Sequence, residues 1–410
     1  MTLRKAICLL TAALVLFSLF PGAALAANEN SRTAVLTGDM DGNGRVAHED
    51  AVYLLLHTLF NATSYPLQYA PGDMDGNGVI EESDAVLLLL HTMFGSQNYP
   101  LRAPAAARNP LNGQLLSAPW EGRAVAVTLN NARQCLPQHG ISDADIVFEM
   151  ETEGGITRLL AIFSDVEGIT NIGPIRSTRT YMNNLAVAYG SALIHCGGSN
   201  GGRLGYYSDK EEAIENWAHL DELYNSRYFF RDQVRLNNGV SSEHTLFTTG
   251  ELLMQGLGDK DLNDPNSHST DYGLSFGSGL SGTAANTVTV IFSGGKTTKM
   301  QYNSQTNRYD FYQYGSQQID GNTQQPVTFS NVILLKTRHW MSSDGLSYYN
   351  LIGYGDGYCA TGGQLIPICW SRETLEGPLT FTLQNGTELK LAPGSTYIAF
   401  SGYRNYISYQ

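Results

Sequence analysis

"ADIVFEMETEGGITRLLAIF" runs from Ala144 to Phe163. Two apolar runs flank Glu153-Gly154-Gly155, so the stretch reads as two strands around a tight turn. Alternation places Phe148 and Met150 on one face and Glu149 and Glu151 on the other. Arg158 leaves the turn on the return strand, within cross-strand reach of those carboxylates. The group is either an ordinary ion pair or part of a cleft lined by carboxylates and an arginine.

Neighbouring segments supply more of the same layer. "AVAVTLNN" (Ala124 to Asn131) is a strand pattern. "ALIHCGGSNGG" (Ala192 to Gly202) reads as a buried strand entering a glycine-rich loop. It sets His195 near a strand's carboxyl end, where open α/β sheets commonly bind ligands. No Gly-Lys-Ser/Thr follows, which excludes a P-loop. Cys196 points away from His195 on a strand, so the two make a poor nucleophile–base dyad. "GPIRSTRTYMNNLAVAYG" (Gly173 to Gly190) predicts a helix with Ser177 or Thr178 as its N-cap. Arg176 and Arg179 then crowd the positive end of that helix. An anion would relieve the conflict, either a protein carboxylate such as Glu149 or a ligand. "FFRDQ" and "SSEHTLFTTGELL" add Arg231, Glu243 and His244, with Thr248 and Glu251 as a capping box.

From about residue 283 onward the pattern is strands between polar turns, including "NTVTVIF", "VTFSNVILL" and "TYIAF". A small barrel or sandwich is expected there. Trp340 and Trp370 serve either core packing or a glycan-stacking platform. Of the cysteines beyond the leader, Cys359 and Cys369 are the nearest in sequence and the expected pair if a disulfide forms.

Toward the N-terminus, "GDMDGNGRVAHED" (Gly38 to Asp50) recurs as "GDMDGNGVIEESD" (Gly72 to Asp84), an offset of 73 − 39 = 34 residues. Oxygen-bearing side chains alternate in each copy: Asp39, Asp41 and Asn43, then Asp73, Asp75 and Asn77. Gly44 and Gly78 allow a sharp turn, Arg45 and Val79 each offer a backbone carbonyl, and Asp50 and Asp84 close the set. A hard cation needs this arrangement of oxygens, so two Ca²⁺ are expected. Apolar runs follow, with Val52, Leu55, Leu56 and Leu59, and Val86, Leu89, Leu90 and Met93, at helical spacing.

The chain has 410 residues and a net charge of −13, which argues against nucleic acid as a partner. Arg4 and Lys5, the apolar core Ala6 to Phe20 and "ALA" at Ala24 to Ala26 read as a signal peptide over residues 1–26. No other stretch is long and apolar enough to span a bilayer. A secreted, extracellular protein is expected.

The paired loops and helices of residues 33–101 resemble a dockerin domain. The resemblance implies one calcium per loop and docking onto a cohesin module of a scaffold or cell-surface protein. It also implies cohesin contacts at His48, Glu49, Glu82 and Ser83. Leucines 55, 56, 89 and 90 stand where that family carries a basic pair. Residues 102–110 read as a linker rich in Pro and Ala. Beyond it, "NPLNG", "IGPIRSTR", "HCGGS", "FFRD", "EHTLFTT" and the Ala144–Phe163 stretch together resemble the YerB-like family of bacterial lipoproteins, over about residues 110–405. That family has no established biochemical role and is typically lipid-anchored outside the cell. The lipidated cysteine is missing here, so the dockerin would replace the lipid as tether.

The expected architecture is therefore multidomain. A small α-helical dockerin precedes a mixed-sheet α/β domain over 111–280, and a β-rich C-terminal barrel or sandwich covers 281–410. Two functions remain open. One is a cohesin-attached binding or envelope-assembly module, its cleft holding an anionic wall or glycan ligand through Arg158, Arg176, Arg179 and Arg231. The other is a hydrolase acting on wall or plant polysaccharide, with Glu149, Glu151, Glu153, His195 and His244 as acid/base candidates.

Overall fold

Every residue of Val125–Asn130 and of Thr157–Phe163 is buried. Strands buried on both faces need cover on both sides, and the computed structural model shows where it comes from. It describes residues 37–41, 43, 45–60, 67, 72–75, 80–101, 107–116, 119–198, 218–264, 271–277, 280–343, 345–402 and 406–410. The expected signal peptide, the loop residues Gly44, Asn77, Gly78 and Val79, and residues 102–106 of the linker lie outside these. The chain forms two compact units, residues 1–107 and 108–410.

In the larger unit, β1 (Val125–Asn130), β2 (Ile146–Glu151), β3 (Thr157–Phe163), β4 (Ala192–His195) and β5 (His219–Asp221) come from the first half. The strands β6 (Thr287–Ser293), β7 (Lys296–Asn303) and β8 (Arg308–Gln313) start the second half. They are followed by β9 (Asn331–Thr337), β10 (Gly353–Thr361), β11 (Gln364–Arg372), β12 (Thr380–Leu383), β13 (Thr396–Gly402) and β14 (Tyr406–Tyr409). The main sheet has eleven strands. Ten run in the order β12-β11-β10-β9-β13-β2-β3-β1-β4-β5, and Thr283–Ala284 pairs with β11. The β2–β3 hairpin is antiparallel, from Ile146 opposite Ile162 to Glu151 opposite Thr157. Gly154 (φ 79°) and Gly155 (φ 71°) make its turn in the left-handed region, which only glycine enters cheaply. The pairs β1–β4, β4–β5, β9–β13 and β13–β2 are parallel.

A second, six-stranded sheet contains β8, β7, β6 and β14. Val288, Val290, Phe292, Met300 and Phe311 from it share one core with Val127, Leu159 and Ala161 of the main sheet and with Leu253 and Leu257 of a helix at Gly250–Asp259. The opposite face buries Phe148, Met150, Leu160, Ile398 and Phe400 with Tyr181, Met182 and Leu185 of the helix Thr180–Ala188, here α3. Each such side chain taken fully out of water contributes about 1.5–3 kcal/mol.

The expected fold class is overturned. The described chain is mostly strand with few helices, and no small α-helical dockerin domain is evident. The C-terminal half is also not a separate barrel or sandwich. Its strands β9 and β13 are buried at nearly every position. Such strands suit the middle of a covered sheet, and they lie there, with β13 seated directly against β2. The caps differ too. The N-cap of α3 is Arg179, with no side-chain cap, while Thr178 bonds Asn183 Oδ1 at 2.6 Å. The helix at Gly250 is capped by Thr249, whose hydroxyl accepts from the Leu252 amide. The four described cysteines are free. Cys359 lies opposite Ile366 and Cys369 opposite Asp356, so the expected pair are not cross-strand neighbours.

In the smaller unit, α1 (His48–Phe60) and α2 (Glu82–Phe94) pack together. Its core is Met40, Ala51 and Leu54 with Met74, Ala85 and Leu88, each equivalent pair 34 positions apart. Of the expected apolar stripe, Leu55 and Leu89 pack against the edge of this core and the rest lies off it. Leu55, Leu56, Leu89 and Leu90 are half-buried, and Met93 is 62% exposed. The small Ala51 and Ala85 take the contact positions instead.

Residues 111–280 expressed alone should fail to give a cooperative thermal transition, because β2 then loses its neighbour β13. A sharp melt of that fragment, followed by circular dichroism, would contradict the shared sheet.

Candidate functional site

The two acidic loops come first, since each is built from a few local bonds. In the first, the buried Asp50 accepts from the amides of Met40 (2.7 Å), Asp41 (3.2 Å) and Ala47 (2.8 Å). Burial pushes its carboxyl up, against those hydrogen bonds. The Asn43 amide donates to Asp39 and Asp41, each at 3.0 Å, and the Arg45 amide donates to Asn43 Oδ1 at 2.9 Å. Asp84 repeats the role of Asp50, accepting from Met74, Asp75 and Glu81 amides. Asp39, Asp41 and Asp50 bring carboxylate oxygens within 4.8 Å of one another, as do Asp73, Asp75 and Asp84. Three convergent carboxylates, one of them fully buried at each loop, are a set that could hold a hard cation. His48 and Glu49 begin α1, and Glu82 and Ser83 begin α2. Glu49 and Ser83 are exposed, and His48 and Glu82 are half-buried.

In the larger unit, Glu149 is fully buried and fully engaged. One oxygen accepts from Asn131 (3.0 Å), Thr157 (2.6 Å) and the Lys296 ammonium (3.0 Å). The other accepts from Thr298 (2.8 Å) and Tyr397 (2.5 Å). Lys296 is equally buried, and its ammonium also bonds Gln313 and lies over the Tyr314 ring. Burial pulls the lysine's pKa down, and Glu149 opposes that pull. This is a structural ion pair, and Glu149 is not placed to exchange protons with a substrate. Glu151 lies 3.8 Å from His339. The sequence placed Glu149 and Glu151 on one face, and the two carboxylates have different partners, Lys296 and His339.

Glu153 is held by Arg179 in a fork: Nη2 to Oε2 is 2.5 Å and Nε to Oε1 is 3.0 Å. It also accepts from the Ser347 amide. Burial alone would raise the Glu153 pKa, but Arg179 outweighs it and brings it to about 2. Arg176 pairs with Glu243 at 2.5 Å, and Arg231 approaches Glu222 at 3.9 Å. The conflict of arginines at the start of α3 is therefore answered by Glu153 and Glu243, not by Glu149. Arg158 differs. It is 7% exposed, and its guanidinium donates only to the Ser177 carbonyl, at 2.6 Å. Burial first, then the charge of Arg179, brings its pKa down to about 9.

These groups collect at the carboxyl ends of β1, β4 and β5. The Arg176 amide bonds Thr128 on β1, the Cys196 amide bonds the Arg176 carbonyl, and Thr178 bonds Gly197. Asn130 bonds His244 Nδ1 at 2.7 Å. His195 is fully buried, with Nε2 3.2 Å from His219 and Nδ1 3.0 Å from the Gly197 carbonyl. Burial lowers its pKa to about 4, with Asp221 opposing. Burial and Glu222 push the Cys196 thiol up to about 12, so it is no nucleophile. Reasoning from sequence missed Lys296, His219 and Asp221. Lys296 follows a Gly-Gly turn and carries no motif, while His219 and Asp221 lie on β5, the next strand in sequence, where Asp221 stands opposite His195.

The comparisons with known proteins agree with this architecture. Residues 113–263 match the family model described as "Protein of unknown function (DUF3048) N-terminal domain", and residues 288–398 match the C-terminal domain of the same family. The chain is similar to "Putative lipoprotein YerB" of Bacillus subtilis (strain 168), 28% identical over 291 residues, covering 68% of this chain and 81% of that protein. It is also similar to the crystal structure of YerB from Bacillus subtilis, at 25% identity with a TM-score of 0.61, covering 73% of this chain and 99% of that one.

Replacing Lys296 with Met leaves Glu149 buried without its cation and should cost about 3–5 kcal/mol in urea unfolding. A loss under about 1 kcal/mol would contradict a structural pair. A second expectation concerns acid. His195 has a folded pKa near 4 against 6.5 unfolded, so the unfolded chain binds the proton first. Stability should decline as pH falls from 6.5 toward 4, and His195→Asn should flatten that part of the profile.

Proposed function

The chain belongs to the DUF3048 family across residues 113–263 and 288–398, and from that premise we propose that it is a secreted binding or envelope-assembly module held at the cell surface by its N-terminal unit. The observation that carries this reading is the contrast between Glu149 and Arg158. Glu149 is filled by five donors, whereas the buried Arg158 donates to a neutral carbonyl. Saturation of Glu149 supports binding over hydrolysis, because a general acid must be free to release its proton. An arginine without a direct ion pair supports capture of an anion.

The two acidic loops would each hold one Ca²⁺. Asp39, Asp41, Asn43 and Asp50 supply the first, and Asp73, Asp75 and Asp84 the second, with Asn77 expected to join them. Calcium would fix the two loops relative to α1 and α2. The first turns of those helices, at His48, Glu49, Glu82 and Ser83, would then meet a cohesin on a scaffold or surface protein. The relative YerB is named a lipoprotein; in the present chain, protein attachment would take the place of a lipid.

The full chain titrated with Ca²⁺ in a calorimeter should bind two equivalents, and Asp39→Ala with Asp73→Ala should abolish most of the heat. No binding at roughly millimolar calcium, the weak end for such sites, would remove the metal from this account.

A further inference from the structure

We infer that a cavity at the seam of the two sheets, between the β7–β8 turn, the β10–β11 turn and the segment before β13, holds one ring of an acidic sugar. The inference rests on the binding-module reading, and it gives the ligand a chemistry and a place away from Arg158 and α3. The cavity measures about 400 Å³, within the size range of small-ligand sites. Its polar wall is made by Asn307 ahead of β8, Ser330 ahead of β9, Gln364 at the start of β11 and Lys390. Among the described residues, no aspartate or glutamate lines it.

Local bonds turn that wall into a set of donors. Gln364 Oε1 accepts from the Gly282 amide at 2.7 Å. A backbone N–H only donates, so the amide is held with its oxygen toward Gly282, and its Nε2 group has no acceptor among the described residues. Asn307 Oδ1 accepts from the Tyr302 hydroxyl at 2.8 Å, which leaves its amide nitrogen in the same position. Ser330 Oγ accepts from Arg308 Nη1 at 3.2 Å, and its own proton is left to donate. The Lys390 ammonium meets no carboxylate among the described residues. Its stem rests on Gly277, where an added Cβ would come within 3.1 Å of Lys390 Cδ. Two amide nitrogens, a hydroxyl proton and an ammonium on one wall suit an anion rich in oxygen.

The rest of the wall is apolar, from Leu280, Ala392 and Pro393. An inorganic anion has no carbon to lay against it. The C–H face of a sugar ring has, and its removal from water adds to binding. A sugar acid meets both walls at once, its carboxylate and hydroxyls on the donors and its ring on the apolar side. The uronic acid of a plant glycan and the muramic acid of a cell wall share this chemistry.

The test is calorimetry of the full chain with galacturonic acid, N-acetylmuramic acid, galactose and inorganic phosphate, joined to thermal melts of each variant. At least one of the two acids should bind, and its source is read from which one does. Galactose and phosphate should bind at least about tenfold more weakly. Gln364→Glu keeps the acceptor for Gly282 but replaces the Nε2 donor with a carboxylate oxygen. It should cost about tenfold or more in affinity and leave Tm within about 3 °C. Lys390→Gln should cost about tenfold, and Lys299→Gln, outside the cavity, less than about threefold. Should Gln364→Glu fail to fold, Ala392→Leu narrows the cavity from its apolar side and should weaken the acid by about tenfold in a folded chain. The cavity is overturned if neither acid binds at about 10 mM, or if galactose or phosphate binds as well as the acids. Binding that survives both Gln364→Glu and Ala392→Leu would also end the cavity, and would leave the module reading standing. Cleavage of trigalacturonic acid by the chain would end the module reading itself.

Discussion

Five donors converge on the Glu149 carboxylate, and the larger unit is organised around them. They come from β3, from the residue after β1, twice from β7 in the second sheet, and from β13. A carboxylate taken out of water is tolerated only when its lone pairs are filled. Each donor must therefore be in place for the others to be worth having. The result fixes where the second sheet lies on the main one, through Lys296 and Thr298. It also fixes the register of β13 against β2, through Tyr397. Apolar contacts supply most of the stabilisation across this interface, but they would tolerate a sliding fit. The ion pair does not, which is the strongest use of a buried charge.

Much of the larger unit is legible in its sequence. The Ala144–Phe163 hairpin reads correctly because period-two alternation and a Gly-Gly turn are local signals, and the pairing of Glu151 with Thr157 follows from them. The strands at 331–337 and 396–402 are equally plain as strands. Their partners are not, because nothing local in "TYIAFSG" says that it will lie beside residues 146–149, some 250 positions earlier (396 − 146). The expectation that the β-rich half forms its own barrel or sandwich failed for that reason. In the smaller unit, the helical stripe was read about one position off, since Ala51, Leu54, Ala85 and Leu88 form the core and Leu55 and Leu89 its edge. Ala51 and Ala85 carry little hydrophobic signal, yet their small size admits the neighbouring helix.

The site shows the same division. The crowding of Arg176 and Arg179 at a helix start is visible in sequence as an electrostatic conflict, and the structure resolves it with carboxylates from the β2–β3 turn and from Glu243. Arg158 looked like a partner for Glu149, since the two lie on adjacent strands. They leave the sheet on opposite faces, because Arg158 stands opposite Met150 and Glu149 opposite Leu159, and Glu149 meets Lys296 of the second sheet instead.

The placement of β13 has a consequence for how the chain comes into being. Synthesis proceeds from the N-terminus, so β2 and β9 are made well before the strand that separates them. Until Gly402 has emerged, one edge of β2 offers unpaired amides and carbonyls next to Phe148 and Met150, an invitation to wrong pairing. Such a long-range contact is also slow to form. The larger unit must stay open, or be kept open by a chaperone, until β13 is available. Folding of this unit therefore waits for β13, and a stop between the start of the unit and β13 should send that unit to proteolysis rather than yield a smaller working piece.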